Sequence, residues 1–500
     1  MTDLLINHKI IKNTLLLIIL AEILSFLGYY YQLINFFAFF SVIILTFILS
    51  LRRLEYGLYI LLTELLIGSF GYLFYFENGG LKISIRIALW LIIMSIWLAK
   101  AIIKLVKTKK MELAFFRSSY FFYFLVLFIF IFWGLLNGWL KSNSLSNLFF
   151  DFNNWLYFLL IFPIYSVLQT DDNLKAIKQI FLASIGWLSL KTLLLAYIFS
   201  HSFNYFILDL YLWMRRSGIG EITQVVPGFS RIFMQSHIFV LIGFFILLFY
   251  LLKNLNEKQS ILNKQNYILV GFSALLLSII IISFSRSFWL GLAAGGIFIL
   301  LTAAFKLKID LKKFIAFSLS AMIVLALSLA LTFLAIKFPY PAPSGDFDAT
   351  NLLSGRATQI TNEAGSSSRW QLLPELWQKI KLGPILGQGF GATVTYKSND
   401  PRVLAINSGG EYTTYAFEWG WLDVWLKLGI WGLSAYLVLF IKIISGGFKI
   451  GSYYSLSLAA GLIVILAVNI FSPYANHPLG IGYIIIAAGI MEYFKKSDNF

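Results

Sequence analysis

The chain has 500 residues, of which 59% are hydrophobic, 18% aromatic and only 12% charged. Soluble domains carry about a quarter charged residues, so this composition excludes a water-soluble fold and indicates an all-α protein that crosses the membrane many times. The net charge of +16 reads as an excess of basic residues on one side of a membrane rather than as a nucleic-acid footprint. Zero cysteines exclude disulfides and thiolate sites. The histidines at 8, 201, 237 and 477 are too scattered for a metal cage, so no metal or cofactor is expected.

Apolar runs of about 20 residues are long enough to cross about 30 Å of hydrocarbon as helices. Fourteen are legible, at 13–31, 35–51, 57–76, 85–104, 119–139, 152–169, 178–199, 232–252, 267–284, 287–305, 314–336, 420–441, 453–471 and 479–494. The first run is too long for a secretory signal h-region and lacks a small-residue cleavage site. Arg52, Arg53, Lys107, Lys109, Lys110, Lys175, Lys253, Lys306, Lys312, Lys442 and Lys495 fall in alternate connections, whereas the opposite short loops show little beyond Lys82 and Lys141. That asymmetry predicts a multi-pass membrane protein with both termini in the cytoplasm. The chain thus divides into spans 1–11 (1–336), a large extracytoplasmic loop (337–418) with short helices, and spans 12–14 (419–500). An interfacial aromatic segment within 200–230 includes "NYFILDLYLWMRR".

Basic residues on the far side are not explained by orientation, and there the type switches from Lys to Arg. Arg286 sits in "SFSRSFWLGLAAG" between two spans, and Arg231 in "PGFSRIFMQSH" at the start of the eighth. Arg215 and Arg216 close the interfacial segment, and Arg356 and Arg369 lie in the large loop. A guanidinium grips phosphate oxygens with two bonds, where an ammonium is a point charge. Alternatively these arginines snorkel to headgroups or pair with Asp346, Asp348, Glu363 or Glu411.

"SFSRSFWLGLAAG", "SRIFMQS", "SSRWQLLPELWQKIKLGPILGQGFGA" (367–392) and "EWGWLDVWLKLGIWGL" (418–433) together resemble the O-antigen ligase and polymerase superfamily of bacterial membrane glycosyltransferases. The resemblance covers roughly 220–440. It implies transfer of a glycan from a polyprenyl-diphosphate carrier to an acceptor hydroxyl on a glycan, lipid or protein, among membrane lipids and without nucleic acid. It also implies that Arg231, Arg286 and Arg369 neutralise the diphosphate, with Arg215, Arg216 and Arg356 as further candidates, in a metal-independent, inverting reaction. Ligases of this family carry a histidine eleven residues before the glycine that matches Gly429; here that position is Glu418, which favours a polymerase. Glu418 is the candidate general base, with pairing to a loop arginine as its bland alternative and His477, expected to be exposed, as a substitute base.

The remaining candidates read mainly as structure. Asp423 and Lys427, four apart, suit an intrahelical ion pair. His237 reads as a satisfied core histidine, and Lys191 as a residue that snorkels, meets an acid or contacts carrier phosphate. "GQGFG" (387–391) lacks nucleotide-loop spacing and reads as a turn. Trp370, Leu373, Trp377 and Ile380 form one helical stripe for packing the loop on the bundle. The rival function is transport, as a lipid-linked oligosaccharide flippase or small-anion carrier, but matched halves and mid-depth charges are not seen.

Overall fold

In hydrocarbon a chain satisfies its own backbone polar groups only as helix or closed barrel, and these apolar runs coil accordingly. The computed structural model of the chain describes residues 8–110, 113–203, 206–257, 263–345 and 364–497. The first third contains α1 (His8–Tyr30), α2 (Gln32–Arg52), α3 (Leu54–Ile67), a hairpin of β1 (Tyr75–Asn78) and β2 (Leu81–Ser84), α4 (Ile85–Thr108), α5 (Phe121–Leu140), α6 (Leu145–Trp155) and α7 (Ile161–Val167). Then come α8 (Asp171–Ser200), α9 (Ile207–Arg216), a hairpin of β3 (Glu221–Val226) and β4 (Phe229–Phe233), α10 (His237–Asn256), α11 (Lys264–Ser283), α12 (Arg286–Leu301) and α13 (Leu311–Lys337). The last part contains α14 (Ala364–Lys381), a hairpin of β5 (Val394–Lys397) and β6 (Glu411–Thr414), α15 (Gly420–Ile450), α16 (Tyr453–Val468) and α17 (Pro478–Ser497).

Every expected span meets a helix, but only twelve helical stretches among the described residues are long and apolar enough to cross a membrane. The other two, α3 and α16, have 14 and 16 residues. At about 1.5 Å per residue they fall short of about 30 Å. The run expected at 57–76 ends early, at Gly68, because Ser69 and Gly71 take positive φ and the chain then turns into the β1–β2 hairpin. The run expected from 232 begins instead at His237, and Arg231 lies on a strand.

Contacts between connections fall into two sets, as alternate threading of the bundle requires. At one end Asn256 donates to the Tyr453 hydroxyl at 2.7 Å, and the Tyr493 hydroxyl donates to Asp171 at 2.7 Å. At the other end Ser472 bonds Ser287 at 3.0 Å, and Lys141 donates to Gln388 at 2.7 Å. There both ring nitrogens of buried His201 approach carbonyl oxygens, of Tyr197 and Phe338, at 2.7 Å, which ties down the start of the large connection. Inside the bundle Lys191 meets an acid, Glu22, at 2.5 Å, and Arg86 meets Glu64 at 2.8 Å, so these buried charges are paired.

The large connection is spliced into a membrane helix. Gly429 has φ 72° and ψ 178°, which breaks α15, and Ile430 N–H turns to Pro384 O at 2.9 Å. The carbonyls stranded by that break are taken by the connection: Gln388 N–H donates to Leu426 O at 2.6 Å and Gly389 N–H to Lys427 O at 3.1 Å. Gly389 (φ 79°) is pressed so close to α5 that a Cβ would lie 2.1 Å from Gly138 N. The "GQGFG" turn is thus a backbone-pairing wedge rather than a ligand loop.

Candidate active site

Three arginines arrive at one place from three separate elements. Arg231 sits on β4 opposite Thr223, its guanidinium over Phe233 at 4.9 Å. Its Nε donates to Ser283 O at 2.8 Å, capping the last carbonyl of α11. Phe284 then takes a left-handed conformation (φ 48°) and reverses the chain, so Arg286 opens α12. A cation at a helix N-terminus adds to the positive end of the helix dipole, a combination that suits an anion. Arg369 comes from the first turns of α14. Desolvation pushes its pKa down to about 10, and the charges of Arg231 and Arg286 push it the same way. Arg369 therefore feels both of the other guanidinium groups, which places the three in a single cationic patch.

Glu418 lies beside this patch and its carboxylate is ion-paired with Arg369. It is about half exposed, 51% by side chain, so burial does not tune it as a base. The neighbouring residues repeat the contact: Trp419 donates its indole N–H to Arg369 O at 3.0 Å and meets Trp370 edge-on at 5.2 Å. On α14 the buried stripe is Leu372, Leu376 and Ile380, one step round from the expected one. Trp370 and Trp377 stay exposed and meet Trp419 and Trp425 edge-on.

The turn 469–477 closes the patch. Ser472 reaches Ser287 on α12, and the Tyr474 hydroxyl donates to Gln235 O at 3.0 Å beside β4. Residues 271–437 match a family model described as O-antigen ligase. Over this stretch the chain is a member of the O-antigen ligase and polymerase superfamily. No curated protein matches the chain.

The O-antigen ligase domain contains Arg286, Arg369, Glu418 and the helix-breaking Gly429, whereas Arg231 is brought to it from outside the matched residues. The matched domain supports a function of O-antigen ligase or polymerase type, and the twelve long apolar helices among the described residues indicate a multi-pass membrane protein.

The other candidates are placed differently. Arg215 and Arg216 are exposed on α9; Arg215 donates to the Tyr211 hydroxyl at 2.7 Å and Arg216 lies 5.5 Å from the Tyr29 ring centre. Arg215's contact lies within α9 and Arg216's reaches α1; neither is with a residue of the patch. Arg356 lies outside the described residues, as do Asp346, Asp348 and Glu363. His477 is half-buried rather than exposed, its ring 6.1 Å from Phe70, and desolvation pushes its pKa down to about 3. It is therefore a neutral imidazole, with Nδ1 accepting from Leu479 N–H at 3.3 Å. His237 is satisfied in the core by Thr192 at 2.9 Å and Met234 N–H at 3.3 Å.

Beneath the patch lies a charge cluster the sequence only half discloses. Lys427 Nζ is 2.6 Å from Asp423, the expected pair, and also 2.6 Å from Asp151 on α6. Asn476 donates to Asp423, and Gly391 N–H donates to Asp151 at 2.9 Å. One buried lysine thereby joins α6, the wedge, α15 and the 469–477 turn. The available signal for Asp151 was a single acid at the edge of an apolar run with no basic neighbour.

Proposed function

We propose that the chain is a glycosyltransferase at the outer face of the bacterial cytoplasmic membrane, with both termini in the cytoplasm. It moves a glycan from a polyprenyl-diphosphate carrier to an acceptor hydroxyl on a glycan or lipid. The observation that supports this reading is the convergence of Arg231, Arg286 and Arg369 beside Glu418 within and around the O-antigen ligase domain.

The chemistry follows from those groups. The arginines bind the diphosphate and hold it more tightly as negative charge gathers on the departing oxygen. The acceptor oxygen attacks the anomeric carbon and its proton passes to Glu418. The bond from that carbon to the diphosphate oxygen breaks with its electron pair, so polyprenyl diphosphate leaves. A single displacement inverts the anomeric centre. Arg369 cannot grip both a phosphate and Glu418 fully, so donor binding draws it from the carboxylate and frees the base. Glutamate at 418, where ligases carry histidine, favours polymerisation over ligation.

The deciding experiment combines purified full-length protein with a synthetic polyprenyl-diphosphate-linked repeat unit. Products lengthened by whole repeats, lost in Arg286→Ala and Arg369→Ala proteins that still reach the membrane, support the reading. Normal transfer by either variant overturns the phosphate assignment. Vesicle transport of the donor without glycan joining overturns the enzyme.

A further inference from the structure

Away from the arginines, a narrow slot opens between α3, α8, α10, α16 and α17. Leu62, Leu66, Phe181, Phe239 and Ile246 line it, so its interior is apolar. Lys175 and Lys178, one turn apart near the start of α8, line it as well. The start of α10 lies beside the later half of α8, where His237 meets Thr192 at 2.9 Å. Phe239, whose ring centre is 6.5 Å from that of Phe181, and Lys175 therefore mark opposite ends of a short slot at the Lys175 end of the bundle.

Two features distinguish this slot from ordinary lipid-facing grooves. Its cations are confined to one end: Lys175 is exposed, and Lys178 sits 3.8 Å from the ring centre of Tyr454. The lining also includes Gln179, only 8% exposed, whose Oε1 is buried with no hydrogen-bond partner among the described residues. A buried acceptor left unpaired is costly, so its place in the slot lining points to a donor supplied from outside the chain.

We propose that the slot is a phospholipid site. One acyl chain of an anionic phospholipid fills the apolar interior, its phosphate sits between Lys175 and Lys178, and a headgroup hydroxyl donates to Gln179 Oε1. Charge complementarity selects the occupant: the cations share the end of the bundle with Lys253, Lys264 and Lys313, and such faces attract anionic headgroups. A glycan carrier held by its diphosphate at the arginine patch has its headgroup at the wrong end. The site stands independently of the transfer reaction.

The test uses detergent-purified, delipidated full-length protein and native mass spectrometry with dioleoyl-phosphatidylglycerol or dioleoyl-phosphatidylcholine. The wild type retains one phosphatidylglycerol and releases phosphatidylcholine. The Lys175→Gln/Lys178→Gln protein binds phosphatidylglycerol about 25-fold more weakly, at about fivefold per lysine. Lys312→Gln, on the same face outside the slot, leaves binding unchanged. Ile246→Trp, which fills the interior, abolishes retention with both lysines intact; the two variants disturb opposite ends, so misfolding of one leaves the other decisive. Equal retention of the two lipids, or retention unmoved by both variants, overturns the site. Displacement of phosphatidylglycerol by equimolar polyprenyl phosphate overturns the phospholipid assignment.

Discussion

Glu418 is bound to the guanidinium of Arg369, and the next residue, Trp419, is bound to the carbonyl of the same arginine. Two consecutive residues at the head of α15 thus hold both ends of residue 369. The sequence positions are 49 apart, yet they behave as one unit: any anion that takes Arg369 must first compete with Glu418.

Glu418→Gln separates a base from a mere tie. With the carboxylate gone, kcat for glycan transfer falls about 10²–10⁴-fold, the usual span for a lost general base. KM for the donor stays level or drops, because Arg369 no longer has a rival for the diphosphate. Steady-state kinetics with a lipid-linked donor read the two separately, and an unchanged kcat reduces the pair to architecture.

Arg286→Lys keeps the charge at the start of α12 and removes the fork. Donor affinity falls at least about tenfold, since a point charge cannot reproduce two parallel bonds to phosphate. Arg286→Ala abolishes transfer. Equal activity of the lysine variant and wild type, measured on membranes with matched protein levels, argues for simple charge attraction.

Lys427→Met leaves Asp151 and Asp423 buried without their shared cation. Breaking a buried pair from one side costs about 3–5 kcal/mol, so the detergent-solubilised protein unfolds at markedly lower temperature. Asp423→Asn is milder, because Lys427 keeps Asp151 at 2.6 Å. The order of the two unfolding midpoints checks the assignment.

Gly429→Ala forces a side chain into a φ/ψ region open essentially to glycine alone, at about 1–3 kcal/mol. It also sets a Cβ 2.1 Å from Ile385 O. Gly296→Ala, on α12 with open space around it, is the control and stabilises slightly. Thermal unfolding of the two variants should move in opposite directions.

His477 carries a pH signature. Its folded pKa, about 3, lies below the ordinary value of 6.5, so between those limits the unfolded chain binds a proton that the folded one does not. Stability therefore falls as pH drops from about 6.5 toward 3, and His477→Gln flattens that slope. Unfolding midpoints recorded from pH 4 to 7 for both proteins test this.

Membrane helices were readable because hydrocarbon tolerates so few alternatives, and the arginines because a cation away from the lysine-rich face has no orientation to explain it. The β3–β4 hairpin was not readable: Ile232 and Phe233 run almost directly into the apolar helix that follows, and only their pairing with β3 tells strand from helix. Asp151 escaped notice because its partner Lys427 lies far along the chain, beyond any local pattern. The Asp423–Lys427 pair was visible because helical spacing alone brings it together. Placing Arg369 against Glu418 needed the fold, since only the wedge at 383–391 sets α14 over the head of α15.

That wedge has a bearing on biogenesis and engineering. Because the chain between Pro384 and Gly391 supplies hydrogen bonds that α15 lacks, the helix cannot mature in the bilayer until an earlier, polar segment has folded back onto it. Chimaeras that exchange this connection between relatives should succeed only when the contact strips around residues 134–151 and 420–430 travel with it.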